Sequence, residues 1–182
     1  MKATGIVRRI DELGRVVVPK ELRRQLRIDE GDAIEIFTES NGEIVLKKFS
    51  PLWGIKQDVE GYADALAEST NCEAIITDKD QVVAVSGNLG ELVGVETSPA
   101  LKRLAKERKS QIVKKSELDK EKYLDWGKDY VPQSLVIAPI ISPTGDLIGT
   151  VILSSQTKEL DDFELKVAET AASFLSKQIG ID

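Results

Sequence analysis

The sequence predicts an α+β protein in two units: a small strand-rich head, and a larger tail built on an antiparallel sheet with flanking helices. Three observations carry this expectation. The head alternates short β-runs and turns around one short helix, in TGIVRRIDELGRVVVPKELRRQL followed by DAIEIF and EIVLKK. Charge divides along the chain: residues 1–28 hold eight Lys/Arg against three Asp/Glu, although all 182 residues together carry −6. Near the C-terminus, two apolar runs flanking a Pro-Thr-Gly-Asp turn lead into a long helical pattern. A chain of this length suits one large domain or two small ones.

Ile6–Ile10 and Arg15–Val18 read as β-runs either side of a turn that holds Gly14. A helix then opens on Pro19, since proline is favoured at the first helical position, where its missing N–H costs nothing. Projected on a helix of period 3.6, Lys20, Arg23, Arg24 and Arg27 fall on one side and Leu22 and Leu26 on the other. A turn over Asp29–Asp32, a strand over Ala33–Thr38, Asn41-Gly42 and a last strand over Ile44–Phe49 follow. Asn-Gly between alternating runs predicts a tight hairpin turn with φ > 0 at both positions. With Phe37 and Phe49 its only aromatics, the head lacks a self-sufficient core, and dimerisation is the expected staple.

The head's basic face, joined by Arg8, Arg9 and Arg15, points to nucleic acid, because the surplus is local and the remaining 154 residues are acidic. A solvated surface helix is the plainer alternative, but such faces mix signs, and here only Glu21 interrupts.

Residues 51–55 read as a linker and 56–182 as the second domain. Ile55, Val59, Tyr62 and Leu66 predict a helix. AIIT and VVAVSG pair around Asp78-Lys79-Asp80, Gly87–Gly90 form a loop, and Thr97 or Ser98 caps a helix through about Arg108 with Pro99 at its start. A charged stretch from Lys114 to Asp129 carries Tyr123 and Trp126, with Tyr130 just beyond, and SLVIAPII and LIGTVILSS make a third hairpin. Asp161 and Glu164 form a capping box for the last helix. That helix shows one apolar stripe of Phe163, Val167, Ala171 and Phe174, and a second of Leu165, Ala168, Ala172, Leu175 and Ile179 whose spacing suits a helix–helix seam. A helix apolar on two sides predicts assembly into a tetramer through the second stripe, with burial inside one domain as the alternative.

Several classes of chemistry are disfavoured. There is no histidine, so Ser-His and Cys-His nucleophiles and His-ligated metals or haem are impossible. The lone Cys72 allows no intrachain disulfide and reads as a small buried residue. No apolar run approaches a membrane span and no signal peptide opens the chain, which predicts a cytoplasmic protein without cofactor or metal. The loop Ser86–Gly94 has the backbone freedom to cradle an anion, but its glycines read first as serving a turn. Lys102, Arg103, Lys106 and Lys109, followed by Lys114 and Lys115, read as a solvated or acid-paired face before a second DNA contact.

Residues 3–48 resemble the swapped-hairpin DNA-binding domain of AbrB-type regulators, in which two chains interleave hairpins into one small β-barrel. That resemblance implies double-stranded DNA as partner and DNA contacts at Arg8, Arg9, Arg15, Arg23 and Arg24; Lys20 and Arg27 are added by the helical projection. Residues 56–182, above all VIAPIISPTGDLIGTVIL, resemble a GAF domain, which implies a pocket for a small-molecule effector of unknown identity. An AbrB-type head with a GAF-like tail is similar to regulators of late sporulation genes and implies forespore gene control. Two rivals compete. Antitoxins share such a head but resemble this chain only to residue 50, and GAF-type enzymes require residues that are missing here.

Overall fold

The computed structural model describes residues 5–127 and 129–179. The chain divides into two units, Met1–Phe49 and Ser50–Asp182.

In the head, the first turn forms where expected: Asp11 N donates to Arg15 O (3.0 Å), Gly14 N to Asp11 O (2.9 Å), and Gly14 takes φ +75°. The flanking runs Ile6–Ile10 and Arg15–Val18 do not form strands. A strand needs a neighbouring backbone to complete its ladder, and the Asp11–Arg15 turn by itself does not make one. Helix α1 spans Lys20–Gln25, with Pro19 at its N-cap rather than inside it. Arg27 lies past the helix end with φ +54°, where Ile28 N donates to Arg23 O (2.8 Å) and Arg27 N to Arg24 O (3.3 Å). This is a Schellman closure with arginine where glycine is usual. The helical projection therefore does not place Arg27.

Strands β1 (Ile34–Thr38) and β2 (Ile44–Lys48) pair antiparallel with Ile36 opposite Leu46. Their turn differs from expectation: of Asn41 and Gly42, only Gly42 has positive φ (+83°), and Glu39 N donates to Glu43 O (2.9 Å). The loop is thus longer than two residues, closed by a glycine in the left-handed region.

The tail is a five-stranded antiparallel sheet of β3 (Glu73–Asp78), β4 (Val82–Val85), β5 (Gln111–Lys114), β6 (Ser134–Ile141) and β7 (Leu147–Ser155), in the order β4-β3-β7-β6-β5. Alternation sends Ala74, Ile76, Val136, Ala138, Val151 and Leu153 to one face. There they meet α3 (Lys56–Thr70) and α6 (Asp162–Ile179). Ile75, Leu135, Ile137 and Ile152 point the other way, onto α4 (Pro99–Lys106) and the buried Tyr123 and Leu124. The sheet is therefore covered on both faces.

Ser98 caps α4, its Oγ accepting from Leu101 N (3.1 Å). In α6, Glu164 Oε2 accepts from Asp161 N (3.0 Å) and Asp161 Oδ1 from Phe163 N (2.8 Å). Burial pushes the Glu164 carboxyl up, but the Asp161 N–H and the Lys158 ammonium (2.7 Å) outweigh it and hold its pKa below the usual value.

The structure differs from the sequence reading at two further places. Residues of the expected linker form a short helix, α2 (Pro51–Gly54), with Leu52 fully buried in the tail's core and Trp53 Nε1 donating to Asp78 Oδ2 (3.1 Å). The second stripe of α6 is not a free seam. Ala168, Ala172 and Leu175 are buried against their own sheet, while Phe163 and Phe174 of the other stripe are exposed. Small side chains let the helix approach the sheet closely, so the alanine-rich face wins that contact.

Gly149 of β7 lies opposite Asp78 of β3, and a Cβ there would overlap the carbonyl oxygen of Thr77. Gly149→Ala must push two central strands apart. The tail should lose ~2 kcal/mol or more, read as a lower urea midpoint. An unchanged midpoint would show that the close approach is not required.

Candidate nucleic-acid interface

The head's basic residues lie on two adjoining pieces of chain. Arg8, Arg9 and Arg15 lie on the 5–19 segment, and Lys20, Arg23 and Arg24 on α1, with Arg27 just past its end; all seven are exposed. Among the described residues, neither Arg23 nor Arg24 has an acidic partner. Leu22 is half-buried but Leu26 is 56% exposed, so α1 leaves its cationic side and part of its apolar side in solvent.

Two clusters shape this surface. Asp11 Oδ2 accepts from Arg15 Nε (2.8 Å), and its Oδ1 from the N–H groups of Arg15 (2.9 Å) and Leu13 (3.0 Å). Hydrogen bonds from the Arg15 backbone and side chain hold the Asp11 carboxyl below its ordinary pKa. At the far end of α1, Lys48 Nζ donates to Arg27 O (2.9 Å) and pairs with Asp32 (2.8 Å), whose Oδ2 also accepts from Asp29 N (2.8 Å). Sequence reasoning missed both clusters. An Asp three residues before Gly14 and four before Arg15 was the available signal for the first.

The other candidates resolve differently. Lys102 pairs with Asp80 (2.6 Å), Arg103 with Glu121 (2.6 Å) and Lys115 with Asp119 (2.8 Å), so this basic helix is partly neutralised by its own domain. The stretch Ser86–Gly94 is not the loop expected: Gly87–Leu92 form a 3₁₀ helix, closed by Val93 N donating to Gly90 O (3.2 Å) and Gly94 N to Val82 O (2.8 Å). Cys72 is buried, and burial raises its pKa.

Helix α5 (Lys115–Leu118) and the segment that follows it enclose an open hollow of about 400 Å³, lined by Leu118, Tyr123, Trp126 and Tyr130 together with charged residues such as Glu121 and Asp125. Trp126 stacks on Tyr130 at 5.1 Å, and Tyr130 OH donates to Ser154 Oγ (2.8 Å). Burial pushes the Tyr130 phenol up to about 12. No group of three or more Cys, Asp or Glu that could hold a metal occurs among the described residues, and no described helix is long and apolar enough to cross a membrane.

Residues 55–180 match the family model of the stage V sporulation protein T C-terminal, a transcription factor, and residues 7–53 match that of the antidote-toxin recognition protein MazE, a bacterial antitoxin. Stage V sporulation protein T of Bacillus subtilis is 43% identical over 180 residues, covering 98% of this chain and 99% of the relative. The transition state regulatory protein AbrB of the same organism is 61% identical over 51 residues, 28% of this chain and 52% of that protein. The GAF domain of the Acinetobacter phosphoenolpyruvate-protein phosphotransferase superposes with a TM-score of 0.59 at 14% identity, over 73% of this chain and 84% of that one, a likeness of fold. The family model for the tail spans more than half of the chain and the Bacillus relative nearly all of it, whereas the antitoxin match stops at the head. The chain belongs to the stage V sporulation protein T family of transcription factors.

Proposed function

We propose that this chain regulates sporulation genes by binding double-stranded DNA in a sequence-specific manner through its head, as a cytoplasmic, non-enzymatic homo-oligomer without a resident cofactor. The observation that carries this reading is the exposed cluster Arg8, Arg9, Arg15, Lys20, Arg23 and Arg24 on a chain that is otherwise acidic. Such a cluster docks on phosphates and lets some side chains reach base edges. Arg23→Ala and Arg24→Ala should each weaken binding to any duplex about uniformly and lower the salt slope by about one unit. Melting should stay unchanged, since both side chains are exposed. Unaltered affinity of both variants in a mobility-shift titration overturns the assignment.

Assembly completes the proposal. The head exposes Val7, Ile10, Leu13, Val17, Ile36 and Ile44, which supports a swapped-hairpin dimer in which a second copy covers them. In the tail, Phe163 and Phe174 are exposed, with Phe174 stacked on Tyr62 of α3 at 5.0 Å, which supports pairing of two such dimers into a tetramer across this face. The hollow beside Trp126 and Tyr130 is the place for a small-molecule effector. A run of hydrogen bonds leads from it: Ser98 N to Tyr123 O, Lys102 N to Ser98 O, Lys102 Nζ to Asp80, Asp80 N to Asp78, and Trp53 Nε1 to Asp78. It ends on the short helix that follows the head in sequence.

A further inference from the structure

The turn that carries Arg15 is organised by one carboxylate. Both oxygens of Asp11 are engaged, Oδ1 by the Leu13 and Arg15 N–H groups and Oδ2 by Arg15 Nε at 2.8 Å. The backbone closes the same turn twice, through Asp11 N to Arg15 O and Gly14 N to Asp11 O. An exposed ion pair contributes little to stability, and Arg15's side chain is 69% exposed, so stability alone does not account for the arrangement.

We propose that Asp11 is a positioning residue for sequence recognition: it grips the Nε edge of the Arg15 guanidinium and aims the two terminal amino groups at the O6 and N7 acceptors of a guanine in the major groove. The inference rests on the DNA-binding reading of the head and goes one step further, to which contact specifies sequence. Two considerations favour a base edge over a phosphate. A carboxylate at 2.8 Å offsets the arginine's charge, which weakens its pull on phosphate. It also removes the side chain's freedom, which is what a planar, bidentate contact with guanine rewards. Arg23 and Arg24, without acidic partners among the described residues, are the better phosphate ligands.

The test uses the full chain and two duplexes of equal length, one selected by the wild-type protein from random-sequence DNA and one a scrambled version of it. Asp11→Asn keeps an oxygen for the Leu13 and Arg15 N–H groups, and places an amide N–H₂, which cannot accept, against Arg15 Nε. Its preference for the selected duplex should fall about tenfold, while binding to the scrambled duplex holds or tightens because a negative charge has gone. Arg15→Lys, which keeps the charge but loses the fork, should show the same loss of preference. A preference that survives in either variant overturns the proposal, whether the two affinities rise together through charge removal or fall together through collapse of the turn. A wild-type chain that binds no duplex overturns the DNA-binding reading itself; binding with intact preference in Asp11→Asn overturns only the role of Asp11.

Discussion

Leu175→Glu should unfold the tail rather than dissociate an assembly. Leu175 is 2% exposed and packs with Ala168, Ala171 and Ala172 against the sheet, where no cation stands ready to pair with a new carboxylate among the core residues. An unpaired buried charge costs several kcal/mol, a large part of the ~5–15 kcal/mol that holds a domain folded. The variant should lose its cooperative urea transition for the tail and bind a dye for exposed apolar surface. Phe174→Glu is the contrasting change. Phe174 is 43% exposed, so the tail should keep its transition, and on the tetramer proposal light scattering should report half the wild-type mass. A folded, half-mass Leu175→Glu would restore the alanine stripe as the seam. A folded, full-mass Phe174→Glu would remove the aromatic face from the assembly.

This pair of residues also marks the limit of what the sequence made legible. Period 3.6 places Leu175 with Ala168 and Ala172, and Phe174 with Phe163, but periodicity cannot say which stripe meets the sheet. The two largest side chains suggested the core, and close approach of helix to sheet favoured the smallest. Elements with strong punctuation were legible: Ser98-Pro99 opens α4, Asp161 and Glu164 open α6, and Pro143-Thr144-Gly145-Asp146 joins β6 to β7. Weakly punctuated elements were not. Gln111–Lys114 is an edge strand of four residues with polar ends, and Pro51–Gly54 looks like a linker until Leu52 is seen in the core. In the candidate interface, the basic residues were legible from charge alone. The partner of Arg15 was not, because an Asp in a turn looks the same whether or not its second oxygen holds a guanidinium.

The head's first fifty residues should be stable only as a dimer, and Val17→Asp should abolish both its fold and its DNA binding in the full chain. Pro19 is the one buried residue among positions 5–49, whereas Val7 is 83% exposed, Val17 69%, Ile44 68% and Ile36 67%. A fully buried Val or Ile contributes about 1.5–3 kcal/mol, so a head that leaves most of its apolar side chains in water forgoes the main force of folding. The runs Ile6–Ile10 and Arg15–Val18 are rich in β-branched residues yet form no strands, and in the dimer a second copy supplies backbone partners and apolar cover. Folding is then coupled to association, and the melting temperature of residues 1–52 should rise with concentration. Asp at position 17 sets a charge from each chain in the apolar contact, so the effect is doubled by symmetry. Affinity for a selected duplex should drop by two orders of magnitude or more, since 2.7 kcal/mol per hundredfold is roughly the cost of one buried charge at the interface. Sedimentation of residues 1–52 settles the matter: a folded monomer, or a melting temperature independent of concentration, would mean that the exposed apolar side chains need no partner.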